Sequence, residues 1–144
     1  MVRSSASRLY AAGDLDEEAR PRVLIVDDDP VIVRLLQVNF RIDGYDVETA
    51  LGGEEAIERA RARRPDVIVL DVMMPGVDGW EVCRRLKEDP ELRVVPVIFL
   101  SARTQDEDRR RGYALGVVEY VTKPFDPIKL VDIVRRLLAG TGSS

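Results

Sequence analysis

Histidine is absent from this 144-residue chain, and cysteine occurs once, at Cys83. Without histidine, the chain cannot form a Ser-His-Asp triad, a Cys-His nucleophile pair or a histidine-ligated zinc site. A single cysteine excludes an internal disulfide and is typical of a reducing cytoplasm, which is the localisation we expect. Any acid, base or metal chemistry must therefore use carboxylates, hydroxyls, lysine or the backbone.

Long apolar runs and an excess of positive charge are also missing. No apolar run approaches the roughly 20 residues that a membrane-spanning helix needs, and the N-terminal segment lacks the apolar core of a secretory signal. The net charge of −4 argues against nucleic acid as a direct partner, since nucleic-acid-binding domains favour a basic face. The composition, 45% hydrophobic and 33% charged, predicts a soluble globular protein with no membrane partner.

The apolar pattern predicts one α/β domain flanked by two tails. Residues 1–21 lack periodicity and predict a flexible N-terminal tail. From Arg22 onward, five short apolar or alternating segments predict strands, and they alternate with five segments that predict helices. The last helix should end near Gly140, leaving residues 141–144 as a C-terminal tail. Such alternation predicts a parallel sheet with helices on both faces over residues 22–140.

Helix boundaries and inner faces can be predicted in the same way. For the first helix, Asp29 suits the N-cap, Pro30 the first turn and Gly44 the stop. Its inner face is predicted from helical spacing to consist of Val31, Leu35, Val38 and Ile42. The charged run Asp106–Arg111 predicts a solvated helix face. Trp80, at the start of another helix, fits either a packed or a partner-contacting position.

Polar residues follow four of the predicted strands. They are Asp27 and Asp28 after Val23–Val26, Asp71 after Val67–Leu70, Ser101 after Val97–Leu100, and Lys123 after the last strand. In a parallel sheet these ends meet at one edge. Three crowded carboxylates repel one another unless a cation lies among them, and an all-oxygen site favours Mg²⁺. A metal, a lysine and a hydroxyl can surround a phosphoryl group, with Asp71 as the nucleophile that receives it.

Four stretches, VLIVDDDP, VIVLDVMMPGVDG, VIFLSAR and EYVTKPF, resemble the signatures of the bacterial response-regulator receiver domain in order and spacing. The resemblance covers about residues 22–140. It implies a flavodoxin-like doubly wound α/β fold, with a five-stranded parallel sheet in the order 2-1-3-4-5 and five helices. It also implies a phosphorylation-dependent signalling switch of a two-component phosphorelay, which catalyses only its own phosphorylation and dephosphorylation.

The resemblance further implies how a phosphoryl group would be held. Asp71 would be the phosphoacceptor, Ser101 would hydrogen-bond the phosphoryl group, and Lys123 would pair with it. Tyr120 would be an aromatic switch that turns inward when Ser101 moves toward the phosphate. The peptide bond from Lys123 to Pro124 would be cis.

A magnesium site follows from the same resemblance. Asp28 and Asp71 would bind Mg²⁺ directly, and Asp27 would assist through water or at longer range. The backbone carbonyl of Met73 would be a further ligand. The side chains of Met73 and Arg103 occupy two positions that border the route of the hydrolytic water in the family.

Protein partners are implied as well. A sensor histidine kinase or a phosphotransfer protein would present a phosphohistidine to Asp71. A downstream protein would bind the face formed by the fourth helix, the fifth strand and the fifth helix, and phosphorylation could also drive formation of a homodimer. Phosphorylation would shift the equilibrium between two packings of the domain, because the phosphate makes contacts in only one of them.

Three alternatives remain open at this point. A haloacid-dehalogenase-type phosphohydrolase also forms an aspartyl phosphate, but it needs a second Asp where this chain has Met73. A pseudo-receiver would only scaffold protein contacts, although every site residue is present here. The chain could also be the receiver fragment of a longer regulator with an output domain elsewhere.

Overall fold

The computed structural model describes residues 20–103 and 105–143, with side chains given as far as Gly140. The predicted N-terminal tail, residues 1–21, therefore lies almost entirely outside the described residues. None of the described helices is both long and apolar enough to cross a membrane.

Five strands alternate with five helices, as predicted. In chain order they are β1 (Arg22–Val26), α1 (Pro30–Ile42), β2 (Asp46–Ala50), α2 (Gly53–Ala62), β3 (Val67–Asp71), α3 (Gly79–Glu88), β4 (Val97–Ser101), α4 (Asp106–Ala114), β5 (Glu119–Thr122) and α5 (Pro127–Ser143). The predicted end of α5 at Gly140 was wrong. Positive φ angles occur at Gly44, Gly76 and Gly116 but not at Gly140, so this glycine does not adopt the left-handed conformation that ends a helix.

The sheet is parallel throughout, and its order β2-β1-β3-β4-β5 confirms the predicted one. β3 lies at the centre, between β1 and β4, with Asp71 opposite Leu100. At the same edge, Ser101 of β4 lies opposite Thr122 of β5. The register therefore brings the polar ends of four strands to one edge of the sheet.

Side chains alternate between two cores, one on each face of the sheet. Leu24 and Leu70 face the layer that contains α2 and α3. Ile25 and Val69 face the layer that contains α1 and α5. All five residues of β3 are buried, because helices cover both faces of the sheet.

α1 packs with the face opposite to the predicted one. Its buried residues are Val33, Leu36 and Phe40, whereas the predicted inner residues Val31, Leu35, Val38 and Ile42 are 42% to 81% exposed. The helix carries two apolar stripes, so spacing alone could not decide between them. The buried stripe contains Phe40, which packs edge to face on Tyr45 with 5.2 Å between ring centroids. Burying the larger side chain removes more apolar area from water.

The ends of α1 agree with the prediction. The Asp29 side chain accepts a hydrogen bond from the backbone N–H of Val31 at 2.9 Å, which is the geometry of an N-cap. Gly44 has a φ of 94°, a conformation that favours glycine, and it follows the helix by two residues. Local capping signals therefore fixed the boundaries of α1, although they did not fix its rotation.

α4 is the helix with the weakest apolar anchor. Of its residues, all of which the structure describes, only Asp108 and Gly112 are buried. Each of the other four helices buries at least three apolar side chains. The predicted solvated face is correct for most of the charged run but wrong for Asp108, whose position at the first turn faces the domain.

Candidate functional site

Three carboxylates meet at the edge where β1 and β3 end. One oxygen from each of Asp27, Asp28 and Asp71 can be chosen so that all three atoms lie within 4.8 Å of one another. Asp27 is fully buried, Asp71 is 3% exposed, and Asp28 is open to solvent. The structure thus brings together the three acids that the sequence placed at neighbouring strand ends.

Lys123 reaches this cluster from the loop after β5. Its Nζ donates to Oδ2 of Asp27 at 2.9 Å and lies 3.2 Å from Oδ1 of Asp71. The peptide bond between Lys123 and Pro124 is cis, as predicted. When all four groups are ionised, three carboxylates and one ammonium leave a local charge of −2, which attracts a further cation.

The pKa values of the site reflect this crowding. Burial, followed by the charge of Asp27, raises the pKa of Asp71 to about 6, although Lys123 and the Met73 N–H partly oppose the rise. Burial alone would lower the pKa of Lys123, but its contacts with Asp27 and Asp71 outweigh that effect and raise it. Lys123 therefore stays charged, and a cation bound beside Asp71 would favour the ionised form of that carboxyl.

Asp27 is oriented by contacts on both of its oxygens. Oδ1 accepts a hydrogen bond from the Asp29 N–H at 2.9 Å, and Oδ2 accepts the one from Lys123. Within the part of the chain that the structure describes, Asp28 makes no such contact, and it faces solvent. The carboxylate of Asp28 therefore has more lone pairs available to a metal ion than that of Asp27, and Asp71 shares Lys123 with Asp27. An all-oxygen donor set of this kind fits Mg²⁺.

The loop after Asp71 is held close to the end of β3. The Gly79 N–H donates to the Val72 carbonyl at 2.8 Å, and a Cβ at Gly79 would lie 2.5 Å from the backbone oxygen of Asp71. Only glycine fits such an approach. The Asp78 side chain then accepts from the Glu81 N–H at 3.0 Å and caps α3. These contacts fix the position of the backbone between Asp71 and the start of α3.

Trp80 is packed rather than exposed, which resolves the alternative left by the sequence. Its ring lies edge to face with Phe99, 5.2 Å between centroids. The guanidinium of Arg111 in α4 lies 4.1 Å from its centroid, within the range of a cation–π contact. Trp80 therefore joins the start of α3 to β4 and α4.

Ser101 and Tyr120 are connected through the backbone of Arg103. The buried hydroxyl of Ser101 accepts a hydrogen bond from the Arg103 N–H at 3.0 Å, and a hydroxyl that accepts one bond can still donate another. The Tyr120 hydroxyl donates to the Arg103 carbonyl at 3.0 Å, and its ring is buried. The Tyr120 side chain is therefore turned inward in this structure.

Sequence reasoning placed Arg103 beside the water route but missed its connecting role. Its side chain forms an ion pair with Asp108, 3.0 Å from Nε to Oδ1, and its Nη1 lies 3.9 Å from the Met73 sulfur. The connection to Ser101 and Tyr120 is made by backbone atoms, which any residue type could supply. No signal in the sequence could have indicated it.

Comparison with known proteins gives a consistent result. The model of a family described as the response regulator receiver domain matches residues 23–135. The phosphate regulon transcriptional regulatory protein PhoB of Rhizobium meliloti (strain 1021) is 42% identical over 118 residues, which are 82% of this chain and 52% of that protein. Response regulator PleD of Caulobacter vibrioides is 44% identical over 116 residues, 81% of this chain and 26% of that protein.

Solved structures show the same similarity in three dimensions. The receiver domain of Francisella response regulator 1452 superposes with a TM-score of 0.79 at 35% identity, covering 85% of this chain and 99% of that one. The chain spans about half the length of PhoB and about a quarter of PleD. The similarity therefore concerns one domain of those proteins.

Proposed function

This chain belongs to the response regulator receiver domain family, and we propose that it is a phosphorylation-dependent switch whose phosphoacceptor is Asp71. The observation that carries the proposal is the meeting of Asp71 with Asp27, Asp28 and Lys123 at one edge of the sheet. This set provides a nucleophile, a metal-binding pair of acids and a fixed positive charge within a few ångströms.

The reaction is a transfer of one phosphoryl group to Asp71. A carboxylate oxygen of Asp71 forms the new O–P bond while the P–N bond of a phosphohistidine on a partner protein breaks, and the imidazole leaves. Lys123 neutralises charge on the phosphoryl oxygens, and the Ser101 hydroxyl donates a hydrogen bond to one of them.

Asp28 and Asp71 would hold Mg²⁺, with Asp27 acting at longer range and the Met73 carbonyl as a further ligand. The bound ion would supply additional neutralisation of the transferred group. Without it, Asp71 remains a buried carboxylate beside the charge of Asp27, and both burial and that charge raise its pKa.

A switch is favoured over a phosphohydrolase by the residue two positions after Asp71. That residue is Met73, whose half-exposed thioether cannot act as a general acid or base. A pseudo-receiver is disfavoured because the pairing of Lys123 with two buried acids would be costly to keep without a use. The phosphoryl group is therefore expected to persist long enough to act as a signal.

Phosphorylation can be tested with the isolated chain and a small phosphodonor. Incubation with acetyl phosphate and Mg²⁺ should add the mass of one phosphoryl group, as measured by intact-protein mass spectrometry. Chelating the metal, or the change Asp28→Asn, should prevent most of this gain. The matched control is Glu58→Gln, on an exposed position of α2 away from the site. A wild-type chain that gains no mass, or an Asp28→Asn chain that gains as much as wild type, would refute the proposal.

The surface that receives the phosphodonor protein is proposed to be the exposed stripe of α1, formed by Val31, Leu35, Val38 and Ile42. α1 begins directly after Asp27, Asp28 and Asp29, so the stripe starts beside the site and extends away from it. Its spacing is that of a helix that packs on another helix. A kinase or phosphotransfer protein must hold its phosphohistidine near Asp71, and this stripe supplies adjacent apolar area.

The change Leu35→Glu should slow phosphotransfer from a protein donor about tenfold or more, which corresponds to roughly 1.4 kcal/mol of lost binding. Labelling by acetyl phosphate should stay close to the wild-type rate, because the site is untouched. The measurement compares both rates for wild type, Leu35→Glu and Glu58→Gln, using any kinase or phosphotransfer protein that phosphorylates the wild type. Equal loss with both donors would show damage to the fold instead of loss of docking.

The output surface is proposed to be the face formed by α4, β5 and α5, where a downstream protein or a second copy of the phosphorylated chain would bind. The weak apolar anchoring of α4 supports this choice, as does the exposed side chain of Tyr113 in α4. The single buried thiol of Cys83 is consistent with the cytoplasm as the compartment.

A further inference from the structure

α4 is held to the domain by charged and aromatic contacts instead of an apolar core. Gly112 lets the helix approach Tyr120, since a Cβ there would lie 3.1 Å from the Tyr120 ring. Arg109 lies over the Tyr120 ring at 5.3 Å, and Arg111 lies over Trp80. The remaining buried residue of α4 is Asp108. Because α4 makes few other contacts with the domain, a change in the partner of Asp108 would affect how firmly this helix is held.

The carboxylate of Asp108 depends on Arg103 for its counter-charge. Its side chain is 6% exposed, and Oδ1 lies 3.0 Å from Nε of Arg103. Within residues 20–103 and 105–143, Arg103 is the one cation that forms an ion pair with it. A buried carboxylate that loses its cation is strongly destabilising, because the remaining charge is neither hydrated nor paired.

Arg103 lies between the Asp108 carboxylate and the loop that follows Asp71. Its Nη1 contacts the sulfur of Met73, two residues after Asp71, and its side chain is 47% exposed. A guanidinium presents N–H donors in a planar fork that matches phosphoryl oxygens as well as a carboxylate. A dianionic phosphoryl group on Asp71 would therefore compete with Asp108 for the same cation.

We propose that Arg103 is a partner-exchange residue: it leaves Asp108 for the phosphoryl group on Asp71, and the unpaired Asp108 then loosens α4. This inference rests on the proposed phosphorylation of Asp71. It adds a side-chain route from the phosphate to α4 beside the backbone contacts of Arg103 with Ser101 and Tyr120. The two contacts of Arg103 are thermodynamically linked. The free energy of its ion pair with Asp108 must be given up when Arg103 moves to the phosphoryl group, so that ion pair weakens phosphoryl binding by the same amount.

Side-chain variants separate the two routes. The hydrogen bonds of Arg103 to Ser101 and Tyr120 use its backbone N–H and carbonyl, so Arg103→Gln retains them. Asp108→Asn keeps the shape of the side chain but removes the charge that competes for Arg103. Arg110→Gln, on an exposed position of α4, is the matched control for a change of charge on the same helix.

Beryllofluoride, with Mg²⁺, serves as the phosphoryl mimic, and its affinity is measured by calorimetry on the full chain. Asp108→Asn should bind it roughly 5-fold or more tightly than wild type, at the lower end of usual coupling between sites. Arg103→Gln should bind it more weakly, because one cation is lost. In the Arg103→Gln background, Asp108→Asn should have no further effect on affinity, and Arg110→Gln should match wild type.

Amide hydrogen exchange of α4 gives the second readout. In wild type, beryllofluoride should raise exchange across residues 105–114. In Arg103→Gln, exchange should be high with or without the mimic, because Asp108 is unpaired in both states. The proposed partner exchange of Arg103 would be overturned by an unchanged beryllofluoride affinity for Asp108→Asn. It would also be overturned if Asp108→Asn raised the affinity equally in the Arg103→Gln background. Neither result would affect the proposed phosphorylation of Asp71. A wild type that binds no beryllofluoride would overturn the proposed function itself.

Discussion

Replacing Lys123 with methionine is expected to strengthen Mg²⁺ binding and to slow phosphorylation of Asp71. The ammonium lies 2.9 Å from an oxygen of Asp27 and 3.2 Å from one of Asp71. Two unit charges 4 Å apart interact by about 4 kcal/mol at an effective dielectric constant of 20, so we expect Mg²⁺ affinity to rise roughly tenfold or more. The local charge becomes −3 instead of −2, which favours a divalent cation.

Phosphorylation responds in the opposite direction, because Lys123 also stabilises the transferred group. Loss of one preorganised electrostatic stabiliser typically slows a reaction by about 10²-fold or more. Acetyl phosphate labelling should show this slowing, and a Mg²⁺ titration should show the gain in affinity. Both are measured well above the pKa of about 6 for Asp71, so that its ionised form dominates. Lys129→Met, on an exposed position of α5, is the matched control. A variant that binds Mg²⁺ more weakly would contradict the assigned role of Lys123.

Adjacent leucines of α1 should differ sharply in their effect on stability. Leu36 is fully buried, whereas Leu35 is 42% exposed. Leu36→Ala should lower the free energy of unfolding by about 2–5 kcal/mol, the usual cost of a buried leucine. Leu35→Ala should cost less than about 1 kcal/mol, since much of its side chain already contacts water. A loss of several kcal/mol is a large share of the total stability of a small domain.

Urea unfolding followed by circular dichroism measures this difference directly. Each variant replaces leucine with alanine at a neighbouring position of one helix, so intrinsic helix propensity largely cancels. Equal losses, or a greater loss for Leu35→Ala, would mean that α1 packs with its predicted face and not with the face that contains Phe40.

The strands and the site edge could be predicted because their signals are local. β3 is a run of four apolar residues that ends in Asp71, and burial on both faces leaves few alternatives for such a run. Once the parallel order was predicted, the ends of four strands had to meet. The acids, Ser101 and Lys123 therefore followed from topology and sequence together, without any knowledge of side-chain geometry.

The rotation of α1 could not be predicted because the helix has two apolar stripes. The stripe with Val31 and Leu35 and the stripe with Leu36 and Phe40 both satisfy helical spacing. The choice depends on the neighbours of the helix, and Tyr45 offers Phe40 a ring contact that spacing does not reveal. Tertiary packing decided between two patterns of nearly equal strength.

The burial of Asp108 was missed for a related reason. A run of six charged residues, Asp106–Arg111, normally predicts a solvated helix face. The burial arises because Gly112 lets α4 approach the sheet and because Arg103, five residues before Asp108, supplies a counter-charge from the preceding loop. Neither effect belongs to the helical pattern itself.

The position of the phosphoryl group tests the central claim most directly. After incubation with acetyl phosphate and Mg²⁺, borohydride converts an aspartyl phosphate to homoserine, and peptide mass spectrometry locates the converted residue. We predict conversion at Asp71 alone in the wild type, and no conversion in Asp71→Asn. Conversion at Asp27 or Asp28, or conversion that persists elsewhere in the Asp71→Asn chain, would contradict the assignment of Asp71 as the phosphoacceptor.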